Sequence, residues 1–168
     1  MNANANETSN VSATGVDVTS KTGAAALTAE ELISTLAPDE LIASELCAVA
    51  RAASAMIDEV FPGADINTQT LKLAEECDEM YFEGDTIDGL VDVAIVSLQL
   101  IYDYKSMIGF CTLRGALQEI TLQTEDDWEE FLSACYFKIS TNYKRHAMGF
   151  WKEGTEERVT MYERNPSL

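Results

Sequence analysis

Apolar residues recur along the middle of the chain at intervals of three and four, the period of one face of an α-helix. From Pro38, the positions Leu41, Ile42, Leu46, Val49, Ala53, Met56, Ile57 and Val60 keep that spacing, and the stretch FPGAD at 61–65 ends the run. A second helical run through INTQTLKLAEECDEMYF carries Ile66, Leu73, Cys77, Met80 and Tyr81. The tripeptide EGD at Glu83 to Asp85 then predicts a tight turn. A third run places Ile87, Leu90, Val91, Ala94, Ile95, Leu98 and Ile101 on helical spacing, with Asp85 or Thr86 as its cap. Its central β-branched residues would also suit a strand, but the spacing and length favour a helix.

Toward the ends the pattern changes. SMIGFCTLRGALQEITLQ, 106–123, reads as a short helix between loops. A last long helix is expected from Thr124, with Glu125, Asp126 and Asp127 in its first turn and Lys144 and Arg145 in its last, the order that suits the helix dipole. At the other end Thr28 followed by Glu31 has the form of a capping box, so order is expected to begin there. Residues 1–27 hold few large apolar side chains and read as a disordered tail, because such a segment buries too little surface to offset its ordering entropy. No run of alternating strands is present. The expected architecture is all-α: a bundle of four to five helices over 28–150, and an irregular arm over 151–168.

Composition narrows the partners. The 168 residues suffice for one domain with a real core. The 29 acids against 11 bases give a net charge of −18, which repels nucleic-acid backbones and anionic membranes, so neither is expected as a partner. The longest apolar run, Gly89 to Ile101, contains Asp92 and is too short to cross a bilayer. Cys47, Cys77, Cys111 and Cys135 form no C-x-x-C pair and read as free thiols in a reducing compartment. With no signal peptide visible, a cytoplasmic location is expected.

The acids are the informative feature. Glu76 and Glu79 are neighbours on one helix face, as are Asp88 and Asp92 on the next helix. The short turn makes those helices antiparallel, so the two pairs are expected at matching heights. On an acidic chain such residues are most often a solvated stripe. Asp92 argues otherwise, because it stands within GLVDVAIV with apolar residues on both sides and no base nearby in sequence. A carboxylate there costs several kcal/mol or more unless it is paired or binds metal. Facing carboxylates are relieved by hard divalent ions such as Mg²⁺ or Mn²⁺. A ferritin-like di-iron site needs Glu-x-x-His pairs, and the single histidine, His146, is in no such context. The spaced acids of an EF-hand loop are absent as well.

KLAEECDE, Lys72 to Glu79, followed by DGLVDVAIVSL, Asp88 to Leu98, resembles the MazG-like superfamily of all-α nucleoside triphosphate pyrophosphohydrolases. The signature of that family is E-E-x-x-E on one helix and E-x-x-D on the next. Glu75, Glu76 and Glu79 match the first half, and Asp92 matches the final Asp of the second. Gly89 stands where the second motif has Glu, with Asp88 one residue earlier as its replacement. The family often carries Lys, Asn and Arg on a later helix, and FKISTNYKRHAMGFW offers Lys138, Asn142 and Arg145 at helical spacings.

The resemblance implies Mg²⁺-dependent hydrolysis of a nucleoside triphosphate to its monophosphate and pyrophosphate, with Mn²⁺ as a substitute ion. It implies Glu76, Glu79, Asp88 and Asp92 as metal ligands and Glu75 or Glu76 as the base. Lys138, Asn142 and Arg145 would hold the substrate. It further implies a homodimer or homotetramer, and a phage or bacterial source. The alternative is a non-catalytic helical adaptor that keeps the fold without the chemistry.

Overall fold

The computed structural model of the protein describes residues 26–83, 87–124 and 128–149. They form six helices: α1 Ala29–Ser34, α2 Glu40–Val60, α3 Ile66–Glu83, α4 Ile87–Tyr104, α5 Met107–Thr124 and α6 Trp128–Ala147. No strand occurs among the described residues, so the class is all-α. None of their helices is long and apolar enough to cross a membrane. The tail expected over 1–27 lies outside the described residues up to residue 25. Outside them too lie the turn residues and proposed caps at 84–86, the acids at 125–127 and the arm at 151–168.

Several helices start where a side chain can hold free amides. The Thr28 hydroxyl accepts the Glu31 N–H at 3.1 Å, and the Glu31 carboxylate accepts the Thr28 N–H at 2.7 Å, completing the capping box. Asp39 accepts the Ile42 N–H at 2.9 Å and caps α2. Within FPGAD, Phe61 closes α2 by donating to Ile57 O, and Gly63 turns the chain at φ 89°. Asp65 then accepts both the backbone N–H and the hydroxyl of Thr68 at 2.8 Å, bonds that hold its carboxyl below the usual value of 3.8.

The centre of the bundle is α4. Leu90, Val91 and every residue from Val93 to Ile101 are buried, which a helix achieves only when neighbours cover it on all sides. α1, α2, α3, α5 and α6 all pack on it. Its β-branched residues thus lie in a helix, as their spacing indicated. Asp92 alone in the stretch from Leu90 to Ile101 keeps partial contact with solvent.

α5 packs most closely against α4. Only Lys105 and Ser106 link the two, with Lys105 in the left-handed region at φ 51°. Ser106 Oγ accepts the Gly109 N–H at 3.3 Å, and a Cβ at Gly109 would lie 2.9 Å from the carbonyl oxygen of Ser97. Whereas the sequence pattern suggested a short helix here, α5 runs for 18 residues. Gly109 and Gly115 dilute its pattern, but Leu113, Ala116, Leu117 and Ile120 are buried against the core, and tertiary packing overrides weak propensity. α6 closes the bundle with Phe131, fully buried, Cys135 and Ile139.

Candidate functional site

Contacts at both ends set the register of α3 against α4. The Tyr104 hydroxyl donates to Ala64 O at 3.4 Å. At the other end Gly89 lies against Met80, where a Cβ would come within 3.2 Å of Met80 Cγ and 3.4 Å of its Cα. The helices therefore run antiparallel; counting inward from the Tyr104–Ala64 contact brings Glu76 level with Asp92, and counting from Gly89–Met80 brings it within one residue of that level. Gly89 is thus a close-approach position, and a glutamate there would have to displace Met80.

Glu76 and Asp92 are the two acids of the motif that turn toward the bundle, with side chains 13% and 22% exposed. Each is met by an ammonium. Lys72 Nζ lies 2.7 Å from Glu76 Oε1 and 3.5 Å from Glu75 Oε2. Lys138 Nζ on α6 lies 2.6 Å from Asp92 Oδ2. The base expected to be missing for Asp92 is therefore supplied 46 residues further along the chain. The carboxylate does not need a metal for its charge to be matched.

The electrostatics describe one connected group. Burial pushes the Asp92 carboxyl above its usual 3.8, Lys138 opposes that shift by charge and hydrogen bond, Glu76 adds to it and Lys72 opposes it. Burial would lower Lys72, but the hydrogen bond it donates to Glu76 and the charges of Glu76, Glu79 and Glu75 hold it above 10.5. One turn before Lys138, the buried Cys135 thiol is pushed up to about 12, by burial and then by the charge of Asp92. Glu76, Lys72, Asp92 and Lys138 thus form a cluster of mixed charge along α4, on which α3 and α6 both pack.

The other expected site residues are placed differently. Glu75, Glu79 and Asp88 are exposed. The inward-facing strip of α3 is Gln69, Leu73, Glu76 and Met80, and Glu79 sits one residue off it. Asp88 precedes Gly89 in the same way and stands in the first turn of α4, where an acid suits the dipole. Asn142 and Arg145 are half-buried on α6, one and two turns beyond Lys138. His146 is exposed in the last turn with Lys144 and Arg145, a helix-end position. All four cysteines are free; Cys47 and Cys135 are buried, Cys77 is half-buried and Cys111 is exposed.

Among the described residues no group of three or more His, Cys, Asp or Glu side chains is arranged to hold a metal ion by itself. The donor chemistry of Glu76 and Asp92 still suits Mg²⁺, which is commonly bound by one or two carboxylates together with substrate phosphates rather than by an all-protein cage. The participant that sequence reasoning passed over is Lys72. Its place three and four residues before Glu75 and Glu76 was a legible signal. No family model, curated protein or solved structure matches this chain.

Proposed function

We propose that the protein is a Mg²⁺-dependent nucleoside triphosphate pyrophosphohydrolase of MazG-like type, with Glu76 and Asp92 at its centre. One observation carries this reading: a partly desolvated aspartate on the most buried helix faces a glutamate at the same level, with a lysine beside each. A structural bundle has no need of a carboxylate at that position, and an equally shaped apolar pair is often as stable or more so. The cluster offers both charges that a metal-complexed polyphosphate requires, carboxylates for the cation and ammonium groups for the phosphates.

Glu76 and Asp92 would hold the ion, which when bound neutralises phosphate charge and polarises the attacked phosphorus. With these carboxylates on an ion, Lys72 and Lys138 would be available to phosphate oxygens and would stabilise charge on the departing pyrophosphate. Glu75, exposed one residue from Glu76, would orient water and accept its proton. Asn142 and Arg145 extend the same helix toward the sugar or base. Glu79 and Asp88 add negative potential around the entrance and could join the ion only after a rearrangement of α3 or α4. Leu41 on α2 and Phe137 on α6, 70% and 58% exposed, support assembly as a homodimer or homotetramer.

A panel of deoxy- and ribonucleoside triphosphates incubated with Mg²⁺ or Mn²⁺, with products separated by chromatography, tests the activity. Pyrophosphate should be released from at least one of them and only with the metal. Glu76→Gln and Asp92→Asn should each lower the rate beyond the roughly 10–100-fold that outer partners of a metal site cost, with the helical circular dichroism retained. A non-catalytic helical binding protein is favoured instead by the Gly89–Met80 contact, which occupies the place of the family's second acid. Absence of pyrophosphate release from every nucleotide, with no effect of Mg²⁺ on the melting temperature, would establish that alternative.

A further inference from the structure

A cavity of about 570 Å³ opens between the α1–α2 link, α5 and the first turn of α6, and it shares no residue with the Glu76–Asp92 cluster. Its size falls within the roughly 300–1,000 Å³ of small-molecule pockets. Leu36, Ala37, Pro38 and the buried Leu117 line it, so most of the lining is apolar. Trp128 lines it too. Its ring sits edge-to-face with Phe131 at 6.1 Å between centroids and 79° between planes, and Phe131 is fully buried. The indole is therefore backed by the core and stands as a preformed aromatic wall.

Arg114 supplies the charge. It is exposed on α5 at the cavity edge, and among the described residues it is paired with no carboxylate. Among the described residues its guanidinium is therefore available to an anionic ligand at the cavity edge. Its planar fork matches a carboxylate or a phosphate, and an apolar trough lined in part by an indole matches a flat ring. We propose that this cavity is a binding site for a small planar ring that carries an anionic group, with the ring against Trp128 and the anion on Arg114. This goes beyond the hydrolase reading and stands without it. The chemistry is shared by nucleoside monophosphates and by aromatic carboxylates.

The chain has two tryptophans, so the full-length Trp151→Phe protein reports Trp128 fluorescence alone. It is titrated in EDTA with AMP and, separately, with phenylacetate, each beside its neutral counterpart, adenosine or benzyl alcohol. Expected is a saturable fluorescence change with at least one anion. Affinity should be about tenfold weaker for the matching neutral compound and for Arg114→Gln in the same background, the effect of losing one charge-assisted contact. Saturation by AMP alone identifies a nucleotide site, and saturation by phenylacetate alone a carboxylate site. No saturation by either anion up to about 10 mM, a negligible affinity, would overturn the proposal. So would equal affinity in Arg114→Gln, or loss of binding in Glu76→Gln with Arg114 intact. Arg114 is exposed, so its replacement leaves the fold available for the measurement.

Discussion

α3 and α4 have the same length, 18 residues, and lie side by side, yet they relate to the core in opposite ways. α4 buries eleven side chains and is enclosed by five other helices. α3 buries Gln69 and Leu73, packs chiefly on α4 and leaves Leu71, Tyr81 and Phe82 largely in solvent. Even the strip between them is half polar. Gln69 and Gln99, at 4% and 1% exposure, lie at one level, and the Oε1 atom of each lacks a hydrogen-bond partner among the described residues. Gln99 is otherwise engaged, its amide donating to Asp103 at 2.6 Å, with Ser54 donating to the other oxygen of Asp103 at 2.7 Å. Seven residues nearer the turn comes the level of Glu76 and Asp92. A hairpin can therefore place its stability in one arm and its chemistry on the strip where the other arm is attached.

The contrast is tested most strongly by apolar truncation. Leu98→Ala, at a fully buried position of α4, should lower unfolding free energy in urea by about 2–5 kcal/mol, whereas Leu71→Ala, 67% exposed on α3, should change it by about 0.5 kcal/mol or less. Equal losses in the two arms would break the comparison. Next in size is Gly109→Ala, where the new methyl meets the carbonyl of Ser97 at 2.9 Å and must part α4 from α5. A loss of about 1–3 kcal/mol is expected by the same measurement.

Asp92→Asn tests the strip itself through pH. The folded carboxyl titrates above its ordinary 3.8, so the native state binds the proton more tightly than the unfolded chain. The stabilisation this provides is fully present below about pH 3.8 and is lost as pH rises through the folded value. Asp92→Asn should therefore gain stability relative to the parent chain in metal-free buffer at neutral pH, and the gain should fade toward pH 3–4; a gain that instead grows on acidification would reverse the sign argued here. The smallest effect is expected from Gly89→Ala. Its methyl meets the half-buried Met80 side chain at 3.2–3.3 Å, and a helix-propensity gain of up to about 1 kcal/mol offsets the crowding, so the melting temperature should barely move.

Much of this arrangement was legible before any coordinates. The caps at Thr28 and the end of α2 at FPGAD rest on contacts within a few residues, which a local pattern can encode. Glu76 and Asp92 were brought level by the shortness of the turn between their helices. α5 was under-read because two glycines interrupt its pattern, while its length depends on the α4 surface beneath it. Glu79 and Asp88 share a helix face with their partners by spacing, yet each lies one residue off the strip that packs. Spacing gives neighbours on a helix but not which of them the adjoining helix covers.

By itself the chain's order of residues determined the helical class, the main helix spans and the level at which two acids meet, because these follow from periodicity, capping and loop length. Only the tertiary structure decided that Asp92 is matched by Lys138, that Glu79 and Asp88 face water, and that α5 and Trp128 line an open cavity beside Arg114. Those outcomes join residues far apart in the chain, and which of them meet depends on how whole helices pack around α4.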